Sequence, residues 1–265
     1  MVNAITFDPS LNSKFELKGD YLSERRQGSE ASDIEAESRN RARARSNMEY
    51  AAKFARLLRP ARFKMIAVSG STSYGSASRS KDLDLFCIAP AGALWRSLTW
   101  GLIMARVSSL ISPRSPSVCL SCIMDERYAH SKFSTPQGPL FARDALATKV
   151  IMGYDIHRSL MKTARWISAY YPAAYEHSEF SEAHIQPMVH HNISERIMNL
   201  FMFATAGRYL KLKSSLLNRR LNATRRNWDV FDIQCEEDHL IYESRRYVSM
   251  RQRYEALLAS VEAGR

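Results

Sequence analysis

The chain has 265 residues, of which 45% are hydrophobic and 25% charged, a balance that builds a packed core and leaves room for one large domain or two small ones. Against 27 Asp and Glu stand 38 Lys and Arg, giving a formal charge of +11 that favours a polyanionic partner such as nucleic acid or a nucleotide. Four cysteines are too few for a disulfide scaffold, and Cys119-Leu120-Ser121-Cys122 is a single C-x-x-C read as core residues on a strand.

The amino terminus, with Asp8 and no basic run leading into an apolar core, predicts neither a secretory signal nor a transit peptide, and so a cytoplasmic protein. Residues 1–32 are mixed and turn-rich, with Gly19-Asp20 as a breaker. Over residues 33–58 neither Gly nor Pro occurs, and Tyr50, Ala51, Phe54, Leu57 and Leu58 recur at helical spacing, which predicts a helix ending before Pro60. Residues 63–69 and 83–89 are short apolar runs that read as buried strands, joined by a segment of mostly Gly, Ser and Thr. The apolar stretch 91–112 reads as a buried helix of a soluble protein rather than a membrane span, because Arg96 and Arg106 interrupt it. Residues 117–124 predict a third strand; beyond residue 128 strand signals fade, and 139–152, 155–170, 191–221 and 237–261 read as helices. The expected fold class is α+β, a small mixed sheet flanked by helices with a helical carboxyl-terminal half. It divides into an amino-terminal segment and helix (1–60), a core (61–130) and a helical region (131–265).

Chemistry concentrates between the first two of these strands. A strand ends at Gly70-Ser71, and twelve residues after the glycine the next strand opens with Asp82-Leu83-Asp84-Leu85. Side chains two apart on a strand share a face, so Asp82 and Asp84 present both carboxylates to one side while Leu83 and Leu85 turn to the other. Two acids side by side call for a cation, and oxygen ligands with open positions suit Mg²⁺. Glycine lets a backbone approach an anion closely. The segment is not a Walker A loop, since Ser76 and Ala77 stand where Lys and Ser or Thr are required after Gly70-x4-Gly75.

In the order strand, Gly-Ser, about a dozen residues, Asp-x-Asp on a second strand, this core resembles the nucleotidyltransferase superfamily typified by DNA polymerase β. Across residues 60–155 it also resembles prokaryotic nucleotidyltransferase-domain proteins of unassigned substrate, with Leu94-Trp95 and Ala142-Arg143-Asp144 as further anchors. The resemblance implies a mixed sheet in which Asp82 and Asp84 hold two Mg²⁺ ions, Gly70 and Ser71 contact the phosphates of a nucleoside triphosphate, and an acceptor hydroxyl attacks with release of pyrophosphate. Lys81 and Arg79 flank the acids and are placed to screen triphosphate charge. A third carboxylate is expected from a neighbouring strand: Asp125 is the candidate catalytic residue and Glu126 its substitute, although a strand-end Asp also serves as a turn or helix cap. Where the pattern leads one to expect Asn two residues after the strand cysteine, this chain has Ser121 following Cys119-Leu120.

The stretch 205–228 carries Arg208, Lys211, Lys213, Arg219, Arg220, Arg225 and Arg226 with no acid before Trp228, which reads as a phosphate-attracting surface or as a solvated face. Two functions remain open at this level. One is an Mg²⁺-dependent nucleotidyltransferase moving a nucleoside monophosphate from an NTP to an acceptor hydroxyl. The other is an inactive module of the same fold that binds RNA or a protein partner.

Overall fold

The computed structural model describes residues 15–18, 21–24, 30–77, 82–112, 115–178, 193–223 and 230–263. Lys81 and Arg79, expected to screen phosphate charge, and Arg225 and Arg226 of the basic stretch lie outside the described residues.

A two-stranded antiparallel hairpin comes first, β1 (Phe15–Lys18) and β2 (Tyr21–Glu24), its strands two residues apart. Helix α1 (Glu30–Leu57) follows and stops where a 3-10 turn at Arg59–Ala61 takes Pro60 into its first positions. Next come β3 (Met65–Val68), a single helical turn α2 (Gly70–Ser73), β4 (Asp82–Ala89), α3 (Leu94–Ile111) and β5 (Ser117–Asp125). The second half contributes α4 (Glu126–Ser134), α5 (Pro139–Ala147), β6 (Lys149–Met152), α6 (Tyr154–Thr163), α7 (Pro172–Glu176), α8 (Ile193–Met202), α9 (Arg208–Ala223), β7 (Phe231–Cys235), β8 (His239–Ser244) and α10 (Arg245–Ala263).

Six strands form one mixed sheet in the order β6-β3-β4-β5-β8-β7, with β4 and β5 parallel and every other pair antiparallel. The chain is α+β, a mixed sheet flanked by helices on both faces, as the sequence predicts. Its helical second half also supplies three strands where sequence patterning predicts helix or gives no strand signal. Lys149–Met152 (KVIM) follows α5 after one residue, and an apolar run of three carries no period of its own. His239–Ser244 passes straight into α10 with no Gly or Pro between them to mark the change.

Strand alternation sorts the core into two layers. Ile66, Val68, Leu83, Leu85 and Cys87 pack with Ala51, Phe54 and Leu58 of α1 and with Trp95 and Leu98 of α3. Met65, Ala67, Phe86, Ile88 and Met124 pack on the opposite face with Ala129 and Phe133 of α4, Ala142 of α5 and Leu160 of α6. Asp82 and Asp84 continue the row of Phe86 and Ile88 toward the start of β4, where this second layer runs out.

Helix α3 buries only one face. Leu94, Trp95, Leu98 and Gly101 point inward, whereas Trp100, Ile103, Leu110 and Ile111 lie exposed, so the expected fully buried helix is a half-buried one. Its amino terminus is capped from elsewhere in the chain: the buried Asn199 of α8 accepts from the Trp95 and Arg96 backbone N–H groups at 2.8 and 3.3 Å. Among the described residues no helix is long and apolar enough to cross a membrane.

Candidate functional site

The turn after β3 is built by glycine. Gly70 takes φ +64, a conformation that L side chains rarely adopt, and the chain then closes one helical turn. The Ser73 hydroxyl donates to Gly70 O at 2.8 Å, the Ser76 N–H to Ser71 O at 3.1 Å, and Asn47 Nδ2 of α1 to the Thr72 hydroxyl at 3.2 Å. Gly70 and Ser71 stay exposed while Thr72 and Ser73 are buried, so the turn is anchored from below and open above.

Asp84 meets this turn directly. The Ser69 N–H donates to Asp84 O at 3.0 Å, and a Cβ placed on Gly70 would lie 2.7 Å from Asp84 Oδ2. The carboxylate therefore rests against the bare Cα of the glycine, and any side chain there would displace it. Asp82, two residues earlier on the same face, is exposed.

The neighbouring strand reaches the same carboxylate. Cys119 and Ser121 stand beside the Asp84 side chain and favour its charged form. A β-bulge makes this possible: Asp84 pairs with Cys119 but Phe86 pairs with Cys122, so β5 spends one extra residue there. Cys119 and Ser121 face Asp84 on one side of the bulge, and Cys122 faces the second core layer on the other. The C-x-x-C thus splits into a site residue and a core residue, a distinction that depends on the bulge and has no trace in residue spacing.

Burial raises the pKa of Asp84, the Asp82 charge raises it further, and the polar side chains of Cys119 and Ser121 beside it oppose both. The Cys119 thiol is pushed up to about 12 by burial and by the charges of Asp84 and Asp82, so it stays protonated at neutral pH. Among the described residues neither Asp82 nor Asp84 has an ion-pair partner. Two adjacent carboxylates of this kind, one half-buried, form a donor set that fits a hard divalent cation. No cluster of three or more His, Cys, Asp or Glu side chains suited to a metal occurs among the described residues, so such an ion would complete its shell with water and phosphate oxygens.

Asp125 is elsewhere. It ends β5 opposite Ala89, six residues beyond Cys119, or about 20 Å along the strand from the acid pair. Its Oδ1 accepts the Tyr128 N–H at 2.8 Å as the amino-terminal cap of α4, and its Oδ2 accepts the Gly92 N–H at 3.1 Å. The substitute fares no better, since the buried Glu126 is ion-paired to Lys64 at 2.7 Å. Neither acid joins the site, and the positions of β5 that do face Asp84 hold Cys119 and Ser121.

Outside the acid pair, Tyr74 at the end of the Gly70 turn donates to Asp144 of α5, to which Arg143 also donates. The basic helix α9 exposes Arg208, Lys211, Lys213 and Arg219, but Tyr209, Leu212 and Leu216 lie exposed among them and interrupt a continuous phosphate stripe. No family model, no curated protein and no solved structure matches the chain.

Proposed function

We propose that the chain is an Mg²⁺-dependent nucleotidyltransferase that binds a nucleoside triphosphate between the Gly70 turn and the Asp82/Asp84 pair. The observation that carries this reading is the contact between Asp84 and Gly70, which brings the two halves of the sequence motif into one site. Asp82 and Asp84 would hold the metal, and Mg²⁺ when bound supplies neutralisation of phosphate charge and polarisation at the α-phosphorus. The residues of the chain bind and orient. Gly70 and Ser71 offer exposed backbone for close approach of phosphate, and Cys119 and Ser121 stand beside the Asp84 carboxylate and favour its charged form. In the reaction the acceptor oxygen bonds to the α-phosphorus as the bond to the pyrophosphate oxygen breaks, and the hydroxyl proton passes to solvent. The exposed basic residues of α9 support a polyanionic acceptor.

A second reading has one specific observation in its favour. Cys119 and Ser121 occupy the positions beside Asp84 where a third carboxylate would stand, which fits a module that binds the metal and nucleotide without transfer. Incubating the full chain with each radiolabelled NTP, Mg²⁺ and a cell extract separates the two. Labelled product with pyrophosphate release, lost in the Asp82→Asn/Asp84→Asn double variant, supports the transferase. Mg²⁺-dependent NTP binding with no pyrophosphate supports the module, and no binding overturns both.

A further inference from the structure

Four side chains from three separate helices meet beside the Gly70 turn, outside the acid pair. Tyr74, which closes α2, donates its phenol to Asp144 Oδ1. Arg143 donates to the same oxygen from Nη2 at 2.9 Å and from Nε at 3.2 Å, and its guanidinium carbon lies 5.2 Å from the centre of the Tyr74 ring. Tyr247 of α10 lies near Asp144 as well. Burial and this shared carboxylate hold both phenols above the ordinary tyrosine range, so they remain donors across the neutral range.

One carboxylate therefore receives a phenol and a guanidinium, and the phenol makes the arginine the removable partner. If Arg143 turned away, Asp144 would keep the Tyr74 hydrogen bond and would not be left unsatisfied. The Arg143 side chain stands 40% exposed, and its guanidinium sits on the ring of the residue that ends the Gly70 turn. Two of its N–H groups engage Asp144, and the rest of its planar fork matches the geometry of phosphate oxygens. A doubly charged phosphate also attracts it more strongly than a single carboxylate does.

We propose that Arg143 binds the terminal phosphates of a nucleoside triphosphate, and that Asp144, Tyr74 and Tyr247 form the resting place that positions it beside the Gly70 turn. The inference rests on the nucleotide reading above and adds to it a residue that distinguishes triphosphates from monophosphates.

The test titrates ATP and AMP separately, with Mg²⁺, into the full chain and into Arg143→Gln, Arg143→Lys and Tyr74→Phe variants. Arg143→Gln should weaken ATP by about 10- to 100-fold, the loss of one charge-assisted hydrogen-bonding group, and leave AMP unchanged. Arg143→Lys should recover part of that loss through its charge; it also carries the test if circular dichroism shows Arg143→Gln unfolded. Tyr74→Phe keeps the ring but removes the bond to Asp144, and should weaken ATP by a smaller factor. Unchanged ATP affinity in Arg143→Gln, with binding abolished in Asp82→Asn/Asp84→Asn, would overturn the role of Arg143 alone. Equal losses for ATP and AMP would make the arginine a structural residue. A wild-type chain that binds no ATP overturns this inference together with the nucleotide reading.

Discussion

Gly70 and Asp84 are in van der Waals contact through the one face of Gly70 that a side chain would fill: a Cβ there would lie 2.7 Å from Asp84 Oδ2. Gly70→Ala therefore acts twice. The left-handed backbone at φ +64 costs about 1–2 kcal/mol with a Cβ in place, and the methyl group pushes the carboxylate away from the turn. Thermal unfolding should register the first effect. Mg²⁺-dependent ATP binding should register the second as a loss of at least about tenfold, since one metal ligand is moved.

Asp84 carries the pH dependence of the site. Burial and the Asp82 charge raise its pKa above the ordinary carboxylate value, so the folded chain holds this proton to a higher pH than the unfolded chain does. Between the ordinary value and the raised one the folded state binds more protons, and stability contributed by this group falls as pH rises. Asp84→Asn removes both the buried charge and the repulsion. Measured without divalent cation, this variant should melt higher at pH 7, by roughly 2–4 °C, and show less loss of stability as pH rises from the ordinary carboxylate value toward neutrality. It should also lose the stabilisation that Mg²⁺ gives the wild-type chain. A variant that melts lower at pH 7 and still responds to Mg²⁺ would contradict the assignment.

The acid pair was legible because alternation along β4 is local: Leu83 and Leu85 fix the buried face, and Asp82 and Asp84 follow from it. The glycine turn was legible for the same reason. What could not be read was everything set by register between strands. Asp125 and Glu126 stand at the right end of β5 by their order in the chain, but parallel pairing carries Asp125 to Ala89, far from Asp84. The bulge that turns both Cys119 and Ser121 toward Asp84 leaves no compositional mark. Tyr74, Asp144 and Tyr247 are far apart along the chain and share nothing that periodicity detects; of the group, only the Ala142-Arg143-Asp144 segment stood out. Helix α3 misled through composition, since its outer face is as apolar as its inner one.

Asp125 should behave as a cap. Asp125→Ala removes acceptors from the Tyr128 and Gly92 N–H groups and should cost about 0.5–2 kcal/mol of stability, read by urea unfolding. ATP binding with Mg²⁺ should be unchanged in the fraction that stays folded. Glu126→Gln should cost more, about 3–5 kcal/mol, because it leaves Lys64 as an unpaired and largely buried charge.

The surface of α9 should bind polyanions in a salt-dependent way. With Lys211, Lys213 and Arg219 changed together to Gln, nucleic-acid affinity at low salt should fall, and the slope of log affinity against log salt should flatten by about 0.9 for each duplex phosphate that is no longer neutralised. A filter-binding series over salt concentration measures both. Equal affinity and slope before and after would assign these residues to a solvated face and direct the search for an acceptor to proteins and small alcohols.

Ser121 decides whether the site lacks anything for transfer. Its side chain already stands beside Asp84 on the neighbouring strand, so a carboxylate in its place would join the acid pair. Ser121→Asp should lower stability without divalent cation, because a third negative charge joins two that already repel. Added Mg²⁺ should restore that stability and raise the melting temperature by more than it does in the wild-type chain, since a cation now offsets three charges instead of two. If the wild-type chain binds nucleotide without turnover, pyrophosphate release that appears in Ser121→Asp identifies the missing carboxylate as the step that separates the binding module from the transferase. If the wild-type chain already turns over, the same substitution should increase turnover by giving the acceptor hydroxyl a base within reach, about 3 Å or through one water. A variant that gains neither metal response nor turnover would show that the acid pair is complete with two members.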